Sequence, residues 1–296
     1  MKRSIRIGIS TCPNDTFAFH GLMNGKVDCQ GLDFRFELLD VEQLNRLLLA
    51  GEFDVAKASF HAALLLSESV GVLDAGSALG FGVGPLLLAA KVDCSPSGDF
   101  FDVNGTKRQP IVLCPGAHTT ANLLYRLFFP GMGSIENVVF SDIMPRLKSG
   151  QADFGVCIHE GRFTYREEGL ARVADLGELW ERETNAPLPL GGIMARHELG
   201  GELHRKINVA IRASIDYGLT HRSETVATMK RYAQEFSENV LFAHVDLYVN
   251  DWTVSLSAAS GASVDGRKAL GLLCEKARQA QVVAAHHPNL QILGVG

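Results

Sequence analysis

The sequence lacks the features that mark nucleic-acid-binding and membrane proteins. Aromatic residues make up only 8% of its 296 residues, too few for a platform on which bases stack. Its lysines and arginines are too dispersed to line such a platform. The formal net charge of −5 also disfavours nucleic acid or an anionic membrane, because both select basic patches. Glycines and acidic residues interrupt the most apolar region, 61–90. Because a membrane-spanning helix needs about 20 nearly uninterrupted apolar residues, this region is expected to lie in the protein core. We expect neither membrane insertion nor a nucleic-acid partner.

Closely spaced cysteines are also missing. The six cysteines are scattered and form no C-x-x-C pair. In a chain of this length, such a pattern is typical of reduced thiols in the cytoplasm rather than of a disulfide framework. The apolar run at 5–10 is too short and too interrupted for a secretory signal. These observations predict a cytoplasmic protein.

Several motifs of common enzyme classes are absent as well. The chain has no G-x-S-x-G nucleophile elbow and no H-E-x-x-H zinc motif. Its glycine-rich segment, 76–85, matches neither a phosphate-binding loop nor a dinucleotide fingerprint, and it is interpreted as a tight turn. The sequence therefore indicates no metal site and no cofactor.

Two stretches about a hundred residues apart share one layout: an apolar strand, a Cys-Pro turn and a helix start containing Thr. They are residues 5–17 and 111–121. A helix start exposes unpaired N–H groups and the positive end of the helix dipole, which favour an anion. Two such starts predict two lobes that close on a small acidic ligand.

A second pair of similar segments supports a duplication of one lobe. Residues 47–56 end a helix at Gly51 and turn through Asp54 into a strand, and residues 146–155 repeat the pattern with Gly150 and Asp153. Glycine ends a helix readily because the left-handed conformation carries no Cβ penalty there. The alternative interpretation is that successive β-α units simply look alike.

Alternating strands and helices predict an α/β fold of two lobes. Residues 1–107 with 191–296 are expected to form the larger lobe and 108–190 an inserted smaller lobe. Residues 93–110 are polar and aperiodic, as in a linker or surface excursion. The predicted strands are 5–10, 33–39, 53–58, 86–92, 111–114, 137–140, 153–158, 173–175 and 188–195. The predicted helices are 15–24, 41–50, 60–69, 119–129, 142–149, 163–169, 200–221, 223–236, 238–248 and 264–281.

His159 is the sharpest candidate for chemistry. It follows the apolar strand 154–158, at the strand end where α/β sheets bind ligands. Its unperturbed pKa of ~6.5 suits proton transfer near neutral pH. The alternative is a hydrogen-bonded structural histidine; a metal role has little support, since no other ligand stands at suitable spacing. Glu160 either orients His159 or starts the next turn.

Other polar residues occupy similar positions at strand ends and helix starts. Thr119, Thr120 and Ala121 open a helix, where they either bind an anion or only cap the helix. Lys57 follows a mainly apolar strand and is a candidate cation facing the ligand, and Ser59 is a weaker candidate beside it.

Four stretches together resemble the 1,4-dihydroxy-6-naphthoate synthase family of the futalosine route to menaquinone. They are 12–17 (CPNDTF), 78–86 (ALGFGVGPL), 115–121 (PGAHTTA) and 158–165 (IHEGRFTY), with further matches at 188–191, 243–245 and 248–250. The likeness covers nearly the whole chain. The departures are residues 93–109, longer than the usual connection, and Gly161, where Ser is common.

The resemblance implies a two-lobed, periplasmic-binding-protein-like fold with the ligand cleft between the lobes. It also implies a lyase that converts cyclic dehypoxanthine futalosine, a small carboxylate, to 1,4-dihydroxy-6-naphthoate and a ribose-derived carbonyl fragment. His159 matches the family's proton-abstracting base. The matching substrate contacts are Lys57, Ala58, Ser59, Thr120 and Ala121.

Two other functions remain open at the level of sequence. One is a solute-binding or ligand-sensing protein of the same fold that performs no chemistry. The other is a related lyase of the same pathway that acts on chorismate, although the opening CPNDTF disfavours it. The oligomeric state is not predicted.

Overall fold

The computed structural model describes residues 2–90, 97–101, 104–159, 161–233, 237–257 and 265–295. The chain divides into two compact units. Unit 1 comprises Met1–Gly80 and Pro187–Gly296, and unit 2 comprises Phe81–Ala186. Strands and helices are numbered along the whole chain.

The strands of unit 1 form one mixed sheet. Its strands in the described residues are β1 (Arg3–Ser10), β2 (Leu32–Leu39), β3 (Val55–Ser59), β4 (Val70–Leu73), β5 (Ala78–Gly80), β13 (Leu188–Arg196) and β14 (Ile292–Leu293). Their order is β14-β4-β13-β3-β1-β2, with β5 paired to β13. The strand β1 runs parallel to β2 and β3, whereas β13 is antiparallel to β3.

The helices of unit 1 follow its strands and extend through the C-terminal part of the chain. They are α1 (Pro13–Ala18), α2 (His20–Met23), α3 (Val41–Leu49), α4 (Phe60–Leu65), α9 (Gly200–Thr220), α10 (Arg222–Tyr232), α11 (Glu238–Tyr248), α12 (Asp251–Val254) and α13 (Gly266–Gln279). None of the helices in the described part of the chain combines the length and the apolar character needed to traverse a bilayer.

Unit 2 contains a second mixed sheet and a short hairpin. Its strands are β6 (Leu86–Ala89), β7 (Phe100–Phe101), β8 (Lys107–Arg108), β9 (Ile111–Cys114), β10 (Ser134–Asn137), β11 (Phe154–Cys157) and β12 (Ala171–Asp175). Its helices are α5 (Thr120–Phe128), α6 (Ile143–Lys148), α7 (Gly161–Thr164) and α8 (Leu176–Thr184). The sheet order is β10-β9-β11-β6-β12, and β7 pairs with β8.

Each unit has its own apolar core. In unit 1, Ile5, Ile7 and Ile9 of β1 are fully buried, at the alternating positions that a strand directs to one face. In unit 2, Leu113 of β9 packs in a separate cluster with Leu147 of α6. Burying such a side chain contributes roughly 1.5–3 kcal/mol, so each sheet has its own source of stability.

The two units repeat one βαβαβ pattern. In unit 1 the order is β2-β1-β3 with all pairs parallel, and in unit 2 it is β10-β9-β11, again parallel. The third strand of each set begins beside an aspartate that bonds to the first strand. Asp54 accepts a hydrogen bond from the Arg6 N–H at 2.7 Å, and Asp153 accepts one from the Ile111 N–H at 2.7 Å. The similar sequence segments around Asp54 and Asp153 therefore occupy equivalent positions in the two sheets.

The boundary of unit 2 lies earlier than the sequence suggests. The sequence places the strand 86–92 within the larger lobe and predicts 108–190 as the inserted lobe. Instead β6 lies between β11 and β12 and pairs antiparallel with both. Unit 2 therefore starts at Phe81 and ends at Ala186. The apolar sequence of β6 predicts a buried strand but does not specify the sheet with which that strand pairs.

Some element predictions are wrong in detail. The strand expected at 137–140 is β10, which ends at Asn137 because its pairing with β9 ends there, and a 3-10 turn occupies Phe140–Asp142. The helix expected at 163–169 is the single turn α7. The sequence interpretation also missed the short strands β4, β5 and β14.

Part of the segment 93–110, predicted to be a linker or surface excursion, is the hairpin β7–β8. Arg108 in β8 forms a two-pronged ion pair with Asp153, with N–O distances of 2.6 and 2.8 Å. The ring of Phe100 packs edge-on against Phe154 at a centroid distance of 5.6 Å. The described part of this segment is therefore attached to the sheet of unit 2.

We expect Asp153→Asn to lower the free energy of unfolding at neutral pH by about 1–3 kcal/mol, since Arg108 loses a charged partner. Burial alone would raise the pKa of Asp153, but the hydrogen bonds from Arg108 and from the Ile111 N–H outweigh it and hold the pKa below its ordinary value of 3.8. A lowered carboxyl pKa stabilises the folded state above the unfolded-state value, and the contribution is lost as the pH falls through the folded-state value. Urea unfolding between pH 7 and pH 3 measures both effects.

Asp54→Asn is the matched control for Asp153→Asn. Asp54 makes the equivalent bond to a backbone N–H, and among the described residues no arginine pairs with it. We expect a smaller loss of stability at neutral pH for this variant. Equal losses for the two variants would contradict the importance of the Arg108 pair.

Candidate functional site

The sheet of unit 2 brings three loops to one edge. The strands β10, β9 and β11 are parallel neighbours, so the segments that follow them leave the same edge. Thr119 follows β9, Phe140 follows β10 and His159 follows β11. Thr119 and His159, which belong to two stretches far apart in the sequence, therefore lie at the carboxyl edge of one sheet.

The helix α5 begins with a well-formed cap at this edge. The Thr119 hydroxyl accepts a hydrogen bond from the Asn122 N–H at 3.2 Å and donates one to the Gly116 carbonyl at 3.0 Å. Gly116 has a φ of +110°, which favours glycine in the turn between β9 and α5. Thr120 and Ala121 form the first turn and are each 3% exposed. Capping at Thr119 thus fixes the position of Thr120 and Ala121.

Asn122 extends this arrangement to the neighbouring strand. Its amide donates to the Asn137 side chain at 2.9 Å, and its carbonyl oxygen accepts from Arg126 at 2.8 Å. Asn137 ends β10, so the start of α5 is bonded directly to the sheet edge. A helix start held in this way is a rigid place for an anionic group.

His159 is half-buried at the same edge, and its backbone is in the left-handed region with a φ of +57°. Its ring meets the Phe140 ring edge-on at a centroid distance of 4.8 Å. The imidazole is therefore not enclosed in the apolar core of unit 2. Glu160, the suggested partner of His159, lies outside the described residues.

The Cys114 thiol, at the end of β9, is not suited to proton transfer. Burial raises the pKa of Cys114 to about 12, so the thiol stays protonated at neutral pH. A protonated buried thiol is neither a nucleophile nor a base. Cys114 therefore acts as part of the core in this unit.

In unit 1, Lys57 of β3 is buried and paired. Its Nζ lies 2.9 Å from Asp15 Oδ1 and donates to the Gly76 carbonyl at 3.3 Å. Asp15 also accepts hydrogen bonds from Ser10 at 2.6 Å and from Asn14 at 3.0 Å. The sequence suggested a cation facing the ligand, and the structure adds a carboxylate that holds this cation in place.

Ser59 and Ala58 differ in what they can offer a ligand. The Asn45 side chain bonds to Ser59 twice: its carbonyl oxygen accepts from the Ser59 N–H at 2.9 Å, and its amide lies 3.2 Å from the hydroxyl. Ala58 is 0% exposed, and successive strand residues face opposite sides of the sheet. Ala58 is thus enclosed on all sides, backbone included, and the structure shows no surface of this residue facing a ligand.

The first helix start differs from the second. The helix α1 has six residues, whereas α5 has nine. Asp15 already stands in the first turn of α1, where its negative charge suits the helix dipole. The two helix starts that the sequence related to an acidic ligand therefore differ: the first turn of α1 carries its own carboxylate, and that of α5 does not.

Sequence reasoning did not single out three residues that contact these side chains: Asp15, Asn45 and Phe140. Asp15 stands inside the quoted motif CPNDTF, but its pairing with Lys57 joins positions 42 residues apart (57 − 15 = 42). Asn45 has no motif at all. In the part of the chain that the structure describes, no group of three or more His, Cys, Asp or Glu side chains is arranged to hold a metal ion.

Comparison with known sequences identifies similar proteins over nearly the whole chain. The family model described as menaquinone biosynthesis matches residues 5–278. A 1,4-dihydroxy-6-naphthoate synthase from Thermus thermophilus is 38% identical over 286 residues, covering 97% of this chain and 98% of the relative. A protein of the same name from Streptomyces coelicolor is 36% identical, covering 89% of this chain and 91% of the relative.

Comparison with solved structures indicates the fold. A protein from Archaeoglobus fulgidus is 29% identical with a TM-score of 0.84, covering 95% of this chain and 98% of that one. A Candida albicans protein described as having the generic periplasmic binding protein fold is 13% identical with a TM-score of 0.63, covering 99% and 98% of the two chains. The expected periplasmic-binding-protein-like α/β fold is confirmed.

Proposed function

The chain belongs to the menaquinone biosynthesis family and is an enzyme, and we propose that it converts cyclic dehypoxanthine futalosine to 1,4-dihydroxy-6-naphthoate. The ribose-derived carbons leave as a small carbonyl fragment. The identity of 38% over 97% of the chain to a synthase of that product supports this reaction. The observation that carries the proposal is the placement of His159 and the start of α5 at one edge of one sheet.

His159 is proposed to be the general base. It removes a proton from a hydroxyl or acidic C–H of the substrate, and a positioned base of this kind contributes about 10²–10⁴-fold to rate. From a hydroxyl, the O–H electron pair forms a C=O bond while the neighbouring C–C bond breaks in a retro-aldol sense. The released electron pair stays with the ring carbon, and aromatisation of the new ring drives the step forward.

The substrate carboxylate is assigned to the start of α5. Thr120 and Ala121 lie in the first turn, where N–H groups and the helix dipole stabilise an anion by about 0.3–1 kcal/mol, and more when the site is partly buried. Thr119 caps the helix and so keeps this turn fixed. Direct hydrogen bonds to the carboxylate would add to the dipole contribution.

Lys57, Ala58 and Ser59 are proposed as the substrate contacts of unit 1. Two N–H bonds of the Lys57 ammonium are directed to Asp15 and Gly76, and the third is proposed to serve a substrate oxygen. Because Asp15 offsets its charge, Lys57 acts here as an oriented donor more than as a net positive charge. Ala58 is proposed on the family resemblance alone, and Ser59 contributes through a hydroxyl held by Asn45.

The protein is proposed to act in the cytoplasm, where menaquinone precursors would reach it as small molecules. No disulfide joins the five cysteines that the structure describes. Reduced thiols suit that compartment. The reaction scheme requires neither a metal nor a redox cofactor.

Incubation of the purified protein with cyclic dehypoxanthine futalosine tests the proposal directly. We expect catalytic formation of a product with the mass and absorbance of 1,4-dihydroxy-6-naphthoate, and no turnover of chorismate. Turnover of chorismate alone would assign the chain to the related lyase. Binding of the futalosine derivative without turnover would indicate a ligand-binding protein.

A further inference from the structure

The turn that carries His159 has an uncommon backbone. His159 has a φ of +57°, and few residues other than glycine adopt positive φ. Such a conformation persists only where the surrounding structure holds it. The residues that hold this turn therefore decide where the imidazole points.

Arg162 links this turn to two other segments of unit 2. Its backbone N–H donates to the His159 carbonyl at 3.3 Å. Its guanidinium donates to the Gly84 carbonyl at 2.6 Å and to Asp175 Oδ2 at 2.7 Å. One residue thus closes the turn with its backbone and anchors it with its side chain.

Both acceptors of the guanidinium are themselves fixed. The Asp175 side chain is fully buried, and its second oxygen accepts from the N–H groups of Gly177 and Glu178 at 2.9 and 3.2 Å, capping α8. Gly84 packs so closely on α8 that a Cβ there would lie 2.2 Å from the Gly177 nitrogen. The Gly84 carbonyl and Asp175 therefore hold the guanidinium in one position.

We propose that Arg162 is the positioning residue of the reaction: by bridging Gly84 and Asp175 it fixes the left-handed turn at His159 and so directs the imidazole. The inference rests on the proposed role of His159 as the base. Bridging the two acceptors requires the planar guanidinium of arginine, since a lysine ammonium is a compact charge without two separated donor groups. A small displacement of a catalytic group is enough to cost about a hundredfold in rate.

Steady-state kinetics of Arg162→Gln and Arg162→Lys tests the proposal. We expect Arg162→Gln to lower kcat at least about thirtyfold and Arg162→Lys at least about fivefold, with KM within about threefold of the unaltered protein. Arg146→Gln is the control: Arg146 also donates from two guanidinium nitrogens, at 2.7 and 2.9 Å, but both bonds go to the exposed carboxylate of Glu136. A folded Arg162→Gln protein with a kcat within about threefold of the control would overturn the inference. If the Gln variant does not fold, Arg162→Lys decides, because a loss in kcat smaller than the expected value of about fivefold would overturn it.

A double variant separates positioning from a merely structural role. If Arg162 acts through His159, adding Arg162→Gln to His159→Ala should leave the residual rate within about twofold of His159→Ala alone. A further large fall in the double variant would refute action through His159. Near-normal turnover of His159→Ala would instead refute the proposed base, whatever the Arg162 variants do, so the two failures are distinguishable.

Discussion

Replacing His159 by alanine is expected to lower kcat at least about a hundredfold while leaving the affinity for substrate within a fewfold. The imidazole lies at the sheet edge, half-buried, against the edge of the Phe140 ring. Loss of a positioned base removes about 10²–10⁴-fold of rate. The carboxylate contacts proposed at the start of α5 lie on a separate helix that the substitution does not touch, so binding should persist.

The measurement is single-turnover formation of the naphthoate product, paired with calorimetric titration of the substrate into the inactive variant. His159→Gln is a useful second variant, since glutamine keeps a polar side chain but cannot accept the proton effectively. His286→Ala is the control, because His286 is exposed in the C-terminal segment. Turnover of His159→Ala at the rate of this control would exclude His159 as the base.

The sequence predicts the positions of the candidate residues at strand ends better than their surrounding contacts. It places His159 and Thr120 after recognisable apolar strands, and parallel strands present their carboxyl ends together. The pairing of Lys57 with Asp15 and the support of Ser59 by Asn45 join separate segments. No local pattern specifies such contacts, so they came only from the structure.

Alternating strands and helices predict two α/β lobes from the sequence alone, whereas the binding-protein-like fold follows from the family resemblance. Long elements such as β1, α3 and α9 carry clear periodic patterns and were expected within a few residues of their observed bounds. Short strands such as β5 and β14 carry too few residues for a pattern to emerge. The sheet to which β6 belongs depends on pairing across 65 or more residues (154 − 89 = 65), which periodicity does not encode.

The other large effect expected concerns stability. Asp15→Asn should lower the free energy of unfolding by about 3–5 kcal/mol, because it leaves the Lys57 ammonium buried without its counter-charge. The side chains of the pair are only 9% and 5% exposed, and their N–O distance is 2.9 Å. Water therefore cannot replace the lost carboxylate well. Asp15 also accepts from Ser10 and Asn14, so those donors lose part of their partner too.

A double variant shows that the cost comes from the orphaned charge. Adding Lys57→Met to Asp15→Asn removes the ammonium, and most of the lost stability should return, as replacing both members of a buried pair is often near neutral. Glu168→Gln is the control: its pair with Lys148 is exposed, with side chains 43% and 49% accessible, and should be worth at most about 1 kcal/mol. Urea unfolding at constant pH measures all four proteins. Equal losses for Asp15→Asn and Glu168→Gln would contradict the burial argument, and a double variant no more stable than Asp15→Asn would show that Asp15 stabilises the fold through Ser10 and Asn14 rather than through Lys57.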